Sequence, residues 1–179
     1  MNKQLSNESA IEFYKNYNKD RSANIDATEK RQLCYQLDAN FVNNLLGPNA
    51  IVLDFGCGEG GFLEYIQAQT KYGIELDSTA LNGLPSSIHG FNNVQTFLSA
   101  NINSLDAIIF RGTLQYVSSL STLLPLLSFI SKGGCIFIFS LPNSRAPLAN
   151  ILKSDWSMCN GIEHLHLHSP VSFYHLFVR

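Results

Sequence analysis

The fold is decided by residues 52–61, which read VLDFGCGEGG. The apolar run at 51–55 predicts a buried strand, and the glycines after it predict a tight turn into a helix over 60–70. In open α/β sheets, ligands bind where such turns leave the carboxyl ends of the strands. Gly56 and Gly58 permit close backbone approach, and the start of a helix offers free N–H groups, so we expect a nucleotide-like ligand at this turn.

Downstream of this turn, strand patterns alternate with helical ones. The sequence predicts further strands at 71–76, 94–98, 107–110 and 134–141, with a short helix after Asp77 and a longer one across 117–131. Several of the strands are continuous apolar runs, which is typical of a mainly parallel sheet covered by helices on both faces. The predicted fold class is α/β, with a Rossmann-like sheet of about five strands.

Helices are predicted at both ends of the chain. Apolar residues recur at helical spacing over 7–18 and 27–46, which predicts an N-terminal helical segment before the first strand. Ser169 is a suitable cap and Pro170 a suitable first residue for a last helix.

Composition limits the classes of protein that this chain can represent. Its 179 residues fit a single domain over 1–179, which we divide into a helical cap at 1–49 and a core at 50–179. A formal net charge of −2 gives no overall attraction to phosphate backbones, so no nucleic-acid partner is indicated. No signal-peptide pattern or apolar run of roughly 20 residues occurs, so we expect a cytoplasmic protein without a membrane partner. The four cysteines show no zinc-ligand spacing, and no metal site is expected.

Two acidic residues sharpen the interpretation of the glycine turn. Asp54 stands two residues before the first glycine, where dinucleotide-binding turns usually carry an apolar residue, and a carboxylate there suits a ligand with an ammonium group. Glu75 follows the second strand 19 residues after Gly56, close to the roughly 20-residue interval that places an acid on ribose hydroxyls.

The segments VLDFGCGEGGF at 52–62 and YGIELD at 72–77 resemble the first two motifs of class I S-adenosylmethionine-dependent methyltransferases. By this resemblance, Asp54 and the glycines hold the methionine end of the cofactor, and Glu75 holds its ribose. The implied reaction is methyl transfer to an unidentified, small-molecule acceptor, with S-adenosylhomocysteine as the other product.

Later segments extend the resemblance. Residues 105–117 and 131–143 are similar to the fourth and fifth strands of that family with their loops, and 163–170 is similar to the stretch before the next helix in small-molecule and sugar-pathway members. The cofactor contacts that the resemblance implies fall on Asp54, Gly56, Cys57, Gly58, Glu75, Leu76, Leu98, Arg111 and Gly112.

The chain departs from the family pattern in two places. The segment predicted as the third strand, 94–98, is followed by Ser99 and Asn101 rather than by the acid that often binds the adenine amino group. The family sheet has seven strands, and the last two have no counterpart here. The core therefore resembles a C-terminally truncated one, and we expect a homodimer or another partner to cover the edge of the fifth strand.

Candidates for contact with the acceptor come from three further places. His164 and His166 are the candidate proton acceptors, since alternate residues of an extended segment share a face. Arg111 directly follows the fourth strand and is a candidate for contact with the carboxylate of the cofactor or with an anion of the substrate. Gln115 and Tyr116 are candidates for the acceptor pocket.

Two other functions fit the same residues. An NAD-dependent oxidoreductase shares the glycine turn and the ribose acid, although Asp54 counts against it. A non-catalytic module that keeps the cofactor fold without turnover is the second alternative, and the missing terminal strands favour it.

Overall fold

The computed structural model describes residues 25–100, 102, 104–156 and 167–177. The strands of these ranges are β1 (Ile51–Phe55), β2 (Thr70–Ile74), β3 (Ile88–Phe91), β4 (Leu105–Arg111) and β5 (Ser131–Ser140). These five described strands are parallel and form one sheet in the order β3-β2-β1-β4-β5. The predicted α/β class with a mainly parallel sheet of five strands is confirmed.

Six helices accompany the sheet in the described ranges. They are α1 (Ile25–Asn43), α2 (Ser78–Asn82), α3 (Val94–Ser99), α4 (Leu120–Ile130), α5 (Pro147–Leu152) and α6 (Pro170–Phe177), with single 3₁₀ turns at Leu63–Tyr65, Leu114–Tyr116 and Lys153–Asp155. The predicted last helix is confirmed as α6, whose first turn is capped by the Ser169 hydroxyl accepting from the Ser172 N–H at 3.1 Å. The helix predicted over 7–18 lies outside the described residues. No described helix combines the length and the apolar composition that a membrane-spanning helix requires.

The core has two halves, one on each face of the sheet. Successive residues of a strand point to opposite faces, so Val52 of β1 packs with Ala39 and Val42 of α1. Leu53 points the other way and packs in the cluster that contains Leu127 of α4. Burial on both faces explains why the strands are continuous apolar runs.

The helix predicted over 60–70 is wrong, because only the single turn Leu63–Tyr65 forms there. The side chain of Asn43 supplies the reason: its Nδ2 donates to the Tyr65 carbonyl at 3.0 Å, and its Oδ1 accepts from the Gln67 N–H at 2.8 Å. A side-chain amide thus satisfies backbone groups that a continuing helix would have used.

The strand predicted over 94–98 is also wrong, because these residues begin helix α3. A capping box starts this helix: the Asn93 side chain accepts from the Thr96 N–H at 2.8 Å, and Thr96 Oγ1 accepts from the Asn93 N–H at 3.4 Å. The true third strand, β3, lies earlier, at Ile88–Phe91. Its four residues include a glycine and a histidine, which hide the strand pattern.

The boundaries around β5 also differ from the prediction. Helix α4 begins at Leu120, three residues after the predicted start, and β5 begins at Ser131 rather than Gly134. Pairing with β4 is irregular just before the apolar part of β5, and Gly134 lies there with a φ of 85°. Strand β5 occupies one edge of the described sheet.

Candidate cofactor site

The glycine turn after β1 is folded back onto the end of β2. The backbone N–H groups of Gly56 and Cys57 both donate to the Ile74 carbonyl, at 2.8 and 3.1 Å. Gly56, Gly58 and Gly60 have φ values of 82°, 56° and 79°. Residues with side chains rarely adopt this left-handed conformation, so the three glycines are required by the path of the turn.

The glycines of the site differ in what surrounds them. A Cβ at Gly56 would lie 2.4 Å from Oγ1 of Thr113, and one at Gly60 would lie 2.8 Å from side-chain atoms of the core. A Cβ at Gly58 or Gly112 would meet no atom of the described residues within 4 Å. Gly58 and Gly112 therefore border open space at the carboxyl ends of β1 and β4, where a ligand can approach the backbone.

Asp54 is a buried acid with an unsatisfied oxygen. Its residue is 2% exposed, and among the described parts of the chain its Oδ1 finds no hydrogen-bond partner. Burial raises the pKa of its carboxyl from 3.8 to about 7, with Arg111 lowering it and Glu75 raising it further. A buried acceptor without a donor is unfavourable unless a ligand or water supplies one.

Glu75 connects the glycine turn to the end of β2. Its Oε2 accepts from the Gly58 N–H at 2.8 Å, and its Oε1 accepts from the Asp77 N–H at 2.9 Å. Each carboxylate oxygen has a second lone pair, so these bonds leave acceptor capacity for hydroxyl groups. Glu75 is thus a structural part of the turn, and its carboxylate can still accept hydrogen bonds from the hydroxyl groups of a ligand.

Arg111 lies at the carboxyl end of β4 and contacts helix α1. Its Nε donates to Oδ2 of Asp38 at 2.8 Å, and its guanidinium carbon lies 4.5 Å from the centroid of the Tyr35 ring. Neither Asp38 nor Tyr35 was a candidate in the sequence, because a separation of 73 residues leaves no local signal. Tyr35 and Asp38 are three residues apart on a helix, and this spacing by itself predicts only that they share a face of the helix.

Three other predicted contacts occupy different environments. The Cys57 side chain packs in the core, where burial raises the pKa of its thiol, so only its backbone faces the turn. Leu98 lies on α3 and packs against the core, which removes the strand-end position on which its prediction depended. Leu76 directly follows Glu75 and is 52% exposed, so its side chain is available to a ligand.

The acceptor candidates are only partly described. Gln115 is buried, and its Nε2 donates to the Gly112 carbonyl at 2.9 Å. Its Oε1 is buried without a hydrogen-bond partner among the described residues. Tyr116 closes the same 3₁₀ turn. His164 and His166 lie outside the described residues. No group of three acidic, histidine or cysteine side chains suited to a metal ion occurs in the described ranges.

Residues 26–179 match the model of a family described as methyltransferase domain. No curated protein matches the chain. The plantazolicin methyltransferase BpumL, solved with a pentazolic desmethylPZN analog and SAH, is 22% identical with a TM-score of 0.62, and the match covers 88% of this chain and 67% of BpumL.

Two further solved structures share the fold. An S-adenosylmethionine-dependent methyltransferase from Archaeoglobus fulgidus is 16% identical, with a TM-score of 0.63 and coverage of 81% of this chain and 66% of that protein. The YcgJ protein from Bacillus subtilis is 14% identical, with a TM-score of 0.62 and coverage of 83% and 66%. This chain thus spans about two thirds of the length of these structures.

Proposed function

This chain belongs to the methyltransferase domain family, and we propose that it binds S-adenosylmethionine at its glycine turn and methylates a small-molecule acceptor. The predicted class, an S-adenosylmethionine-dependent methyltransferase with a Rossmann-like fold, is confirmed by the family match and the shared fold. The residues that hold the cofactor and the nature of the acceptor form the proposal.

The observation that carries the proposal is that Oδ1 of buried Asp54 has no hydrogen-bond partner among the described residues. An ammonium group would supply both the missing donor and a positive charge, and it would favour the ionised form of a carboxyl whose pKa burial raises to about 7. The methionine end of the proposed cofactor carries such an ammonium. A pyrophosphate, which NAD would place at a glycine turn, has neither property.

The open space beside Gly58 supports the same ligand. Because no atom in the described part of the chain lies within 4 Å of a Cβ built there, a ligand can approach the Gly58 backbone closely. Glu75 holds this glycine through its Oε2 and keeps lone pairs for the ribose hydroxyls. These residues thus suit a ligand that has a charged end for Asp54 and a sugar for Glu75, with close backbone approach at Gly58.

The cofactor, when bound, supplies an activated methyl group on a sulfonium. The protein then mainly orients the two reactants and excludes water, because methyl transfer is an in-line displacement that requires no covalent intermediate with the enzyme. A side-chain base is needed only where the acceptor loses a proton as it attacks. His164 and His166 are proposed for that role.

The broader assignments are proposals as well. We assign 50–179 to the core and 1–49 to a helical cap of the same domain, and we place the protein in the cytoplasm. A net charge of −2 favours a small acceptor over nucleic acid. Strand β5 lies at one edge of the described sheet, which supports coverage of this strand by a second copy or by another segment. Light scattering of the purified protein would test for the second copy.

Calorimetric titration with S-adenosylhomocysteine, run in parallel with NAD, tests the proposal. We expect micromolar binding of S-adenosylhomocysteine, weakened by Asp54→Asn and Glu75→Gln, and no binding of NAD. Asp155→Asn is the matched control, since Asp155 is exposed on a 3₁₀ turn outside the site. Binding of NAD in its place would overturn the assignment of the ligand.

Catalysis is tested with S-adenosylmethionine labelled in its methyl group. We expect the label to pass to a member of a panel of small hydroxyl, amine and carboxylate compounds, and not to bulk protein or RNA. Cofactor binding without label transfer to any acceptor would instead identify a non-catalytic module.

A further inference from the structure

Arg111 is held by two residues that lie one turn apart on helix α1. Asp38 accepts its Nε–H at 2.8 Å, and the ring centroid of Tyr35 lies 4.5 Å from its guanidinium carbon. The ring of Phe62 lies 5.6 Å from the same carbon. A guanidinium that is both stacked and hydrogen-bonded has a fixed plane and a fixed direction, unlike an arginine in solvent.

The contacts of helix α1 extend to the glycine turn. A Cβ built at Gly61 would lie 3.2 Å from Cε2 of Tyr35, so the tyrosine ring is close to the turn as well as to Arg111. Strand β4, which ends at Arg111, pairs with β1 through Ile109 and Asp54. The charge of Arg111 acts on Asp54, whose pKa it lowers against the larger effect of burial. Arg111 therefore lies beside the part of the site that Asp54 builds.

The hydrogen bond to Asp38 uses one of the five donors of the guanidinium. The two terminal nitrogens of Arg111 have no hydrogen-bond acceptor among residues 25–100, 102, 104–156 and 167–177. The Arg111 side chain is 21% exposed, so this cation is largely removed from water while most of its donors remain unused. The two terminal nitrogens of such a guanidinium are suited to bidentate binding of a carboxylate.

We propose that Asp38 and Tyr35 are positioning residues that hold Arg111 so that its terminal nitrogens bind the α-carboxylate of the cofactor's methionine moiety. The inference rests on the proposed function and deepens it. A methionine moiety carries an ammonium and a carboxylate on one carbon. On the adjacent strands, Asp54 is the last residue but one of β1 and Arg111 is the last residue of β4. Helix α1 thereby becomes part of the cofactor site, although it carries no sequence motif.

The test compares two ligands that differ only in the carboxylate: S-adenosylhomocysteine and its decarboxylated analogue, which keeps the amino group. Wild-type protein is expected to bind S-adenosylhomocysteine about tenfold more tightly, as one charge-assisted pair would give. Arg111→Gln is expected to abolish this preference. Asp38→Asn is expected to weaken S-adenosylhomocysteine severalfold without weakening the analogue, and Asp38→Glu to restore part of the loss.

Glu29→Gln is the matched control, because Glu29 is an exposed acid on the same helix. It should bind both ligands as the wild type does. A loss for Asp38→Asn that is equal for the two ligands would show a general structural role and overturn the inference. Retention of the carboxylate preference in Arg111→Gln would also overturn it, while leaving the proposed function intact. Failure of the wild type to bind either ligand would overturn both.

Discussion

The carboxylate of Glu75 accepts a hydrogen bond from the backbone N–H of Gly58 at 2.8 Å, which ties the end of β2 to the middle of the glycine turn. Its other oxygen accepts from the Asp77 N–H at 2.9 Å, and the Asp77 side chain in turn caps α2 by accepting from Thr79. A residue predicted as a ribose ligand is therefore also a brace for the turn. Loss of Glu75 should affect both binding and stability.

Glu75→Gln is expected to weaken S-adenosylhomocysteine binding about tenfold or more and to lower the free energy of unfolding by about 1–2 kcal/mol. An amide has only one acceptor oxygen, so it cannot accept from both backbone N–H groups as the carboxylate does. Calorimetry and urea denaturation measure the two effects. The control Glu64→Gln, an exposed glutamate outside the site, should change neither. An effect on binding without any effect on stability would contradict the bracing role.

The sequence was sufficient to predict where the backbone places those candidate residues whose position follows from their neighbours in the chain. A buried strand followed by glycines predicts both the turn and the point at which the strand ends. This locates Asp54 and Gly56 at the carboxyl end of β1. Glu75 follows from the ordinary length of a β-α-β unit, even though the helix in that unit is reduced to Leu63–Tyr65. The spacing tolerates this change because it depends on where the strands end.

The rest depended on side-chain contacts that sequence patterns do not encode. Helix α3 forms because Asn93 and Thr96 cap each other, and this outweighs an apolar, partly β-branched composition that favours a strand. The ion pair between Arg111 and Asp38 joins residues 73 positions apart, and only the packing of α1 against the sheet brings them together. Such pairs follow from tertiary structure.

Cofactor binding should depend on pH through Asp54. Burial raises the pKa of this carboxyl to about 7, with a smaller lowering by Arg111 and a raising by Glu75. If the ionised form binds the ammonium, affinity for S-adenosylhomocysteine falls as pH drops below about 7, by about tenfold per unit well below it. Calorimetry at pH 6, 7 and 8 in buffers of different ionisation enthalpy would also detect proton release at the lowest pH. Asp54→Asn should bind weakly at every pH, and a wild-type affinity independent of pH would contradict the role.

The same group should make the stability of the free protein depend on pH. The folded pKa of Asp54 lies above its ordinary value of 3.8, so between about pH 4 and pH 7 the folded protein holds a proton that the unfolded chain releases. Its contribution to stability is present at low pH and lost as pH rises to about 7, by up to about 4 kcal/mol. Urea denaturation from pH 4.5 to pH 8 should show Asp54→Asn gaining stability relative to wild type as pH rises. A constant difference between the two proteins would contradict the assignment.

Gly56 and Gly58 should respond differently to alanine, although both have positive φ. The added Cβ of Gly58→Ala meets no atom within 4 Å among the described residues, so we expect about 1–2 kcal/mol of backbone strain and a loss of S-adenosylhomocysteine binding of about tenfold or more. Gly56→Ala also brings its Cβ to 2.4 Å from Thr113 Oγ1, so the free energy of unfolding should fall by about 3 kcal/mol or more. Urea denaturation and calorimetry of both variants separate strain from obstruction of the site.

The Thr113→Ala substitution provides the internal control for that comparison, because it removes Oγ1 and Cγ2, the two atoms closest to the added Cβ. Added to Gly56→Ala, it should recover part of the lost stability, since the steric conflict is relieved while the positive φ remains. Added to Gly58→Ala, it should recover nothing, since no atom of the described residues lies within 4 Å of a Cβ built at that position. If the two double variants recovered equal stability, contact with Thr113 would not be the reason that position 56 requires glycine. The backbone conformation alone would then constrain the turn.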